Sequence, residues 1–373
     1  AVISGAEQSL QKYITADYGS FIHGITVSSA LIGCIIGGLL SSNVSKNFGR
    51  KKSLQIAAIL FIVSAILSGY PEFLFFDRGD ATLGLLVMFN LYRIIGGIGV
   101  GLASAISPMY ISEISPSSIR GRLVSWNQFA IIFGMLVVYF VNYGITFGRA
   151  QNWIDIIGWR YMFITEAIPA IVFFILLFLV PETPRYLILA NKDKEAFSVL
   201  SKIYTSKQHA KNVLNDILAT KSKGNELKAP LFSFGKTVII TGILLSIFQQ
   251  FIGINVALYY APRIFENLGV GSDASMMQTV VMGLVNVIFT LVAIKYVDKF
   301  GRKPLLIIGS IGMAIGMIGM SVLTASGIFG IITLLFMVIY TASFMMSWGP
   351  IIWVLLSEIF PNRIRSLYAN FAG

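Results

Sequence analysis

The chain has 373 residues, of which 56% are hydrophobic and 12% are charged, and its mean hydropathy is +0.79. Soluble domains carry about 25% charged residues, so this composition excludes a water-soluble fold. The net charge of +11 would suggest a nucleic-acid partner in a soluble protein, but 22 of the 28 Lys and Arg lie in alternate connections between apolar runs. That alternation is the positive-inside pattern of membrane proteins, so we expect no nucleic acid as a partner.

Nine apolar runs are long enough to cross a hydrocarbon core about 30 Å thick. In chain order they lie near 22–45, 53–70, 84–107, 122–146, 159–180, 236–261, 276–297, 304–324 and 329–357. Residues 1–10 are predicted to be the outer end of a tenth helix. The basic connections, which we expect in the cytoplasm, are 46–52, 120–122, 185–236, 295–303 and 363–365. The sequence therefore predicts an all-α polytopic membrane protein.

A long polar stretch divides the chain and contains no run that could span a membrane. Within it, Ala196, Val199 and Leu200 have helical spacing, which predicts short amphipathic helices on the cytoplasmic face. The predicted units are a first half at 1–181, a linker at 182–235 and a second half at 236–373.

A charged signature occurs in both halves, about 250 residues apart. Phe48-Gly49-Arg50 in the first half corresponds to Phe300-Gly301-Arg302 in the second. Repeated halves are typical of secondary transporters, which hold substrate near the midplane. We expect acidic and basic members of the two copies to pair and close the cytoplasmic side when the cavity opens outward; solvated charges without partners are the alternative. The predicted cytoplasmic gate consists of Arg50, Glu113, Arg120, Glu182, Arg185, Asp298, Arg302, Glu358 and Arg365.

Amide side chains occur inside several apolar runs, where polar groups are costly and usually face a cavity or a partner helix. Gln249 and Gln250 are adjacent, so they cannot both face the same neighbouring helix. Amides donate and accept hydrogen bonds, which suits sugar hydroxyls, and aromatic rings stack on sugar C–H surfaces. Hydrogen bonding between helices is the alternative role. The predicted substrate-binding residues are Gln128, Gln249, Gln250, Asn255, Tyr259, Asn286 and Trp348.

Two of the ionisable residues within the predicted spans need separate consideration. Arg93 and Glu166 are candidates for proton coupling, because a charge at membrane depth normally has a partner or a proton role. An interfacial anchor is the alternative for Arg93, and a structural ion pair with a cytoplasmic-side arginine is the alternative for Glu166. We interpret His23 as incidental and the single cysteine, Cys34, as an inert buried thiol. We expect no metal, cofactor or disulfide.

Glycines recur at short spacing in two spans. Gly97-x-Gly99 could be read as a dinucleotide-binding loop, but it lies in the middle of an apolar run with no preceding strand. Close packing of helices through small residues is the favoured interpretation. The glycines concerned are Gly96, Gly97, Gly99, Gly101, Gly309, Gly312, Gly316 and Gly319.

Four motifs make the sequence resemble the sugar porters of the major facilitator superfamily over essentially its whole length. They are Tyr92-Arg93-Ile94-Ile95-Gly96-Gly97-Ile98-Gly99, Pro181-Glu182-Thr183-Pro184-Arg185, the Gln249-Gln250 segment and Ser347-Trp348-Gly349-Pro350. The resemblance implies the major facilitator fold, with two six-helix halves, here truncated at both ends to about ten of twelve helices. It implies a bacterial inner-membrane monomer with D-xylose or a related pentose or hexose and a proton as substrates.

The resemblance also implies roles for individual residues and shows some departures from the family pattern. An aspartate that takes up the proton, beside the arginine matching Arg93, is expected just before Ala1, and a sugar-contacting glutamine is expected beyond Gly373. We therefore expect that the 373 residues alone do not transport. Lys46 stands where the first signature usually carries an acid, and Ser366 stands where a glycine is usual.

Proton-driven sugar transport by alternating access is the leading functional hypothesis. A facilitator that moves sugar without protons is the alternative within transport, and a sugar sensor without turnover belongs to a different class. An enzyme is least expected, because the spans contain no nucleophile–base pair and no metal-ligand cluster.

Overall fold

The computed structural model describes residues 2–73, 76, 82–116, 119–204, 206–224, 236–267, 272–328 and 331–359. Regular structure within these ranges is helical. Nine helical stretches there are long and apolar enough to cross a membrane, which confirms the prediction of an all-α polytopic membrane protein.

Within these ranges, the first half is built from eight helices of very different lengths. In chain order they are α1 (Val2–Tyr13), α2 (Gly19–Phe48), α3 (Arg50–Gly69), α4 (Leu83–Ile114), α5 (Arg120–Thr146), α6 (Gln151–Trp153), α7 (Trp159–Thr165) and α8 (Ala167–Leu179). A π-helical turn, Ile154–Gly158, joins α6 to α7. The predicted span 159–180 therefore begins earlier than expected, as part of one helical stretch from Gln151 to Leu179.

The linker contributes three short helices: α9 (Pro184–Leu189), α10 (Asp193–Ile203) and α11 (Lys207–Gly224). Leu187, Ile188, Ala196 and Val199 form a small buried cluster among them. The apolar stripe in the polar stretch is thus buried between helices, which confirms the amphipathic pattern.

Two spans of the second half are interrupted. The helices are α12 (Lys236–Phe251), α13 (Ile254–Tyr259), α14 (Ala261–Asn267), α15 (Ser272–Phe300), α16 (Arg302–Ala325), α17 (Ile331–Met346) and α18 (Trp348–Ile359). The predicted span 236–261 breaks at Gly253, and 329–357 breaks at Ser347. The second break precedes Pro350, which has no N–H to donate to the carbonyl of Met346.

The chain crosses back and forth, so the connections lie on two faces. We name the face with the ends of α2, α4, α8 and α15 the basic face, because the basic residues of 46–52 and 299–303 lie there. Among the described residues, the other face carries 14–18, 70–73, 147–150 and 326–328, and we name it the opposite face.

A buried ion pair supports the opposite face. Arg160 donates to both carboxylate oxygens of Glu72, at 2.8 and 2.5 Å, and also to the carbonyl of Gly69. Burial raises the pKa of Glu72, but hydrogen bonds from Arg160 and its charge outweigh burial and hold the pKa below its usual value. The pair joins α7 to the end of α3.

Small residues let α2 and α4 approach until their backbones touch. A Cβ at Gly33 would collide with the carbonyl oxygen of Ile94 and lie 2.9 Å from the Cα of Gly97. A Cβ at Gly97 would meet the carbonyl of Ala30 in return. The glycines of the span 84–107 therefore serve helix packing, as predicted, rather than a dinucleotide site.

Candidate functional site

The break at Gly253 divides four predicted binding residues into two pairs. Gln249 and Gln250 end α12, whereas Asn255 and Tyr259 lie on α13. Gly253 has a φ of 83°, in the left-handed region that glycine adopts without steric cost. The amide of Asn255 donates to Oε1 of Gln250 at 3.2 Å, across the break.

The break leaves backbone groups that need partners, because the membrane interior offers no water. The hydroxyl of Tyr340 on α17 donates to the carbonyl of Ile252 at 2.8 Å. A neighbouring helix thus satisfies the freed carbonyl. Tyr340 was not among the predicted site residues, and its position in an apolar run gives no sequence signal for this role.

Trp348 is held by its polar atoms from two sides. Its indole N–H points to Oγ of Ser310 at 2.8 Å and to the carbonyl of Leu306 at 3.3 Å. Its own carbonyl accepts from Nε2 of Gln249 at 3.1 Å. The indole N–H is therefore engaged within the protein, and stacking of the ring face on a sugar stays a prediction.

Gln249 and Gln250 differ in exposure. Gln249 is 6% exposed, whereas Gln250 belongs to the exposed residues. This difference in exposure agrees with the expectation that the two adjacent amides face different surroundings. Gln250 is the better placed of the two to meet a ligand directly, and Gln249 fixes the start of α18.

Gln128 and Asn286 come from the two helices that pack between the halves. Ile132, one turn after Gln128, packs in a cluster with Ile254 and Leu258 of the second half, so Gln128 shares the face of α5 that meets that half. Asn286 on α15 is fully buried, and neither of its amide atoms has a hydrogen-bond partner among the described residues. An unpaired amide at membrane depth is costly unless a ligand or water completes it.

Arg93 lies inside the bundle rather than at its surface. Its guanidinium is 5.1 Å from the ring centre of Phe163, and its Nε atom is buried without a hydrogen-bond partner among the described residues. The interfacial-anchor interpretation of Arg93 does not fit this burial.

Glu166 lies between α7 and α8, three residues after Phe163, whose ring is under the guanidinium of Arg93. No ion pair within 4 Å joins Glu166 to an arginine in the described part of the chain. Arg93 thus contacts the helical turn that precedes Glu166, and a coupling role for the two residues stays a prediction.

The first copy of the charged signature forms a network on the basic face. Nη2 of Arg50 is 2.8 Å from Oε1 of Glu113, whose other oxygen accepts from the hydroxyl of Thr183. The carboxylate of Glu182 accepts the backbone N–H groups of Arg50 and Lys51, at 3.1 and 3.0 Å. A carboxylate at a helix N-terminus satisfies free N–H groups and the helix dipole, so Glu182 fixes the start of α3.

These contacts lie within the first half and the start of the linker, whereas we expected pairing between halves. The side chain of Arg185 is exposed, and Arg302 donates to the carbonyl of Val297 at 3.4 Å. Asp298, Glu358 and Arg120 lie on described helices, but their side chains are outside the described part, as is all of Arg365. Pairing across the halves therefore stays a prediction for these residues.

His23, which we interpreted as incidental, has buried hydrogen-bond partners at both ring nitrogens. Its Nε2 is 2.8 Å from Oε1 of Glu7, and its Nδ1 is 2.8 Å from the hydroxyl of Thr15. Glu7 is 1% exposed and also meets Arg263 of α14. Sequence reasoning missed Glu7 and Arg263 because each lies near the end of an apolar run, where charged residues are ordinary.

Comparisons with known proteins agree with this architecture. Residues 4–373 match the family described as "Sugar (and other) transporter". The D-xylose-proton symporter of Escherichia coli (strain K12) is 50% identical over 98% of this chain and 77% of its own length. The glucose facilitated diffusion protein of Zymomonas mobilis is 36% identical over 95% of this chain and 74% of its own length.

A solved structure covers the whole chain. The proton:xylose symporter of the major facilitator superfamily, bound to 6-bromo-6-deoxy-D-glucose, has a TM-score of 0.86 and 49% identity, and the match covers 100% of this chain and 81% of that one. The family assignment makes this chain a transporter rather than an enzyme. Sequence, fold and comparisons agree that the chain belongs to the sugar transporter family of the major facilitator superfamily.

Proposed function

We propose that the protein transports a monosaccharide, D-xylose or a related pentose or hexose, by alternating access and in symport with a proton. The observation that carries this proposal is a pair of buried polar groups without partners among the described residues, Nε of Arg93 in the first half and the amide of Asn286 in the second. A sugar hydroxyl would complete the amide of Asn286, and a carboxylate that takes up and releases a proton would pair with Arg93. The symporters among the relatives support the same assignment.

The proposed sugar site lies where α5 meets the interrupted helices of the second half. Gln250 and Asn255 provide exposed amide groups at the helix break, and Asn286 has two unpaired amide atoms. Trp348 offers a ring face, Gln249 holds its backbone, and Gln128 and Tyr259 complete the lining. Converging amides and an aromatic face are the groups that bind sugar hydroxyls and C–H surfaces.

For proton coupling we assign Arg93 and Glu166, and for the gate we assign the signature residues. The network of Arg50, Glu113 and Glu182 supports the gate assignment, because it holds the ends of α3 and α4 together at the basic face. The positive-inside pattern supports a cytoplasmic location for the basic face and the linker 182–235. We propose a monomer in the bacterial inner membrane, with lipid around its apolar surface.

We expect sugar uptake by cells that produce the natural protein to depend on the proton gradient. Accumulation above the outside concentration should collapse when a protonophore is added, while exchange of sugar at equal concentrations on both sides continues. A facilitator, the alternative that the glucose facilitated diffusion relative supports, would equilibrate sugar without accumulation and without sensitivity to the protonophore.

Replacement of Gln250 or Gln249 by alanine is expected to weaken sugar binding, measured by titration of the purified protein. Each loss should cost about 1–3 kcal/mol, because a buried partner group is left without its hydrogen bond. Gln208→Ala is the matched control, since Gln208 is an exposed amide on α11 that bonds to Asn212. Sugar affinity that is unchanged in both site variants would exclude the proposed site.

A further inference from the structure

An ion pair joins the two halves at the opposite face. Nη1 of Arg263 on α14 is 2.7 Å from Oε1 of Glu7 on α1, and it is 2.8 Å from Oε1 of Gln11. One turn away along α14, Glu266 accepts from Nε2 of Gln8 at 2.5 Å. We name the central contact of these three pairs, Glu7–Arg263, the outer latch.

The two sides of the outer latch are built differently. The Glu7 side chain is 1% exposed and is anchored in its own half by His23, which Thr15 holds in turn. The Arg263 side chain is 39% exposed. The first half therefore supplies a fixed, buried carboxylate, and the second half supplies a cation that can return to water.

The segment that carries Arg263 follows the helix break. Gly253 separates α12 from α13 and α14, so the outer part of this span can change its angle without moving α12. If α14 moves away from α1, Arg263 regains water, whereas Glu7 loses its contact with Arg263 and keeps its contact with His23. Separation thus leaves the buried carboxylate of Glu7 without the positive charge of Arg263. The loss of this charge favours the arrangement in which α14 stays against α1.

We propose that Glu7 and Arg263 form the closure of the opposite face, and that this ion pair sets how often the cavity opens there. This inference rests on the proposed alternating-access function, and it assigns positioning roles to residues outside the sugar site and outside the predicted cytoplasmic gate. His23 and Thr15 keep the Glu7 carboxylate in place to receive Arg263.

The test measures opening directly with a thiol probe. Ser4 lines a small cleft with Gln8 and Glu266, is 4% exposed, and has an unpaired hydroxyl among the described residues. Ser4→Cys, made in the natural protein with Cys34→Ala, places one thiol beneath the outer latch. The rate of labelling by a membrane-impermeant maleimide, added from the side of the opposite face, reports how often this cleft opens.

Arg263→Gln is expected to raise the labelling rate about fivefold or more, a coupling typical of conformational equilibria. Arg263→Lys, which keeps the charge, should restore slow labelling. Arg149→Gln is the control on the same face, because Arg149 is exposed and stacks on Trp153 of its own half. An unchanged rate in Arg263→Gln, or an equal rise in Arg149→Gln, would overturn the outer latch.

A second variant keeps the test informative if Arg263→Gln does not fold. Glu7→Gln removes the charge from the other partner, and it should also speed labelling; slow labelling in this variant would contradict the proposal. The assay needs no transport. Suppose that the protein without these substitutions takes up no sugar, while Arg263→Gln and Glu7→Gln are labelled fast. The outer latch would then stand and the proposed transport function would be refuted. Failure of the outer latch can thus be distinguished from failure of the proposed function.

Discussion

Replacement of Gly33 by alanine is expected to destabilise the first half strongly. The new Cβ would collide with the backbone carbonyl of Ile94 and approach the Cα of Gly97 to 2.9 Å, and neither atom belongs to a flexible side chain. The helices α2 and α4 must then separate along their crossing. Overpacking of this kind costs about 1–3 kcal/mol or more, because displacement of one helix also loosens its other contacts.

Gly24→Ala is the matched control for Gly33→Ala. Gly24 lies on the same helix, and nothing lies within 4 Å of the Cβ that alanine would add. Alanine there should be neutral or stabilise the helix by up to about 1 kcal/mol. Thermal unfolding of the purified protein in detergent compares the two variants; an equal midpoint for both would refute the packing argument.

Replacement of Arg93 by alanine is expected to abolish gradient-driven sugar accumulation while sugar binding persists. Nε of Arg93 is buried, so alanine removes the charge from inside the first half. A loss of about 3 kcal/mol in the coupled step corresponds to more than about 100-fold in its rate. Sugar affinity should change much less, because the amides that we propose to contact sugar remain. Uptake with a proton gradient and binding by titration separate the two effects.

Arg149→Ala provides the comparison for Arg93→Ala. Both arginines stack on an aromatic ring, at 5.0 Å for Arg149 and 5.1 Å for Arg93, but Arg149 is exposed on the opposite face. We expect Arg93→Ala to lose accumulation and Arg149→Ala to keep it, although each variant loses an arginine–ring contact. The reason is that Nε of Arg93 is buried, whereas Arg149 is exposed. Normal accumulation in Arg93→Ala would remove Arg93 from the coupling assignment.

The length of the apolar runs predicted the spans of this protein well, because a helix that crosses lipid must be apolar for about 20 residues. It could not predict the break at Gly253, because a continuous helix and an interrupted helix can have the same run of apolar residues. The break depends on a positive φ and on Tyr340, a residue 88 positions away in sequence. Similarly, the stripe Ala196, Val199 and Leu200 predicted a buried face but not its partners.

The amides illustrate a second limit of the sequence. Their residue type identifies groups that can bind sugar hydroxyls, but not which of them the protein itself occupies. The amide of Gln249 donates a hydrogen bond to the backbone carbonyl of Trp348, and the indole N–H of Trp348 donates one to the hydroxyl of Ser310. His23 shows the reverse case, since one histidine near a span end carries no pattern until its contact with Glu7 is seen.

Gly49 and Gly301 occupy the same place in the two copies of the charged signature, and both have a φ above 80°. At Gly49 a side chain would also collide with the carboxylate of Glu182 and lie 2.7 Å from the ring of Tyr186, whereas at Gly301 the nearest atom among the described residues is Cδ of Pro304, 3.9 Å away. A side chain at Gly49 would therefore meet both a backbone barrier and a packing barrier. At Gly301 the described residues add nothing to the backbone barrier, so the same substitution should cost less in the second copy.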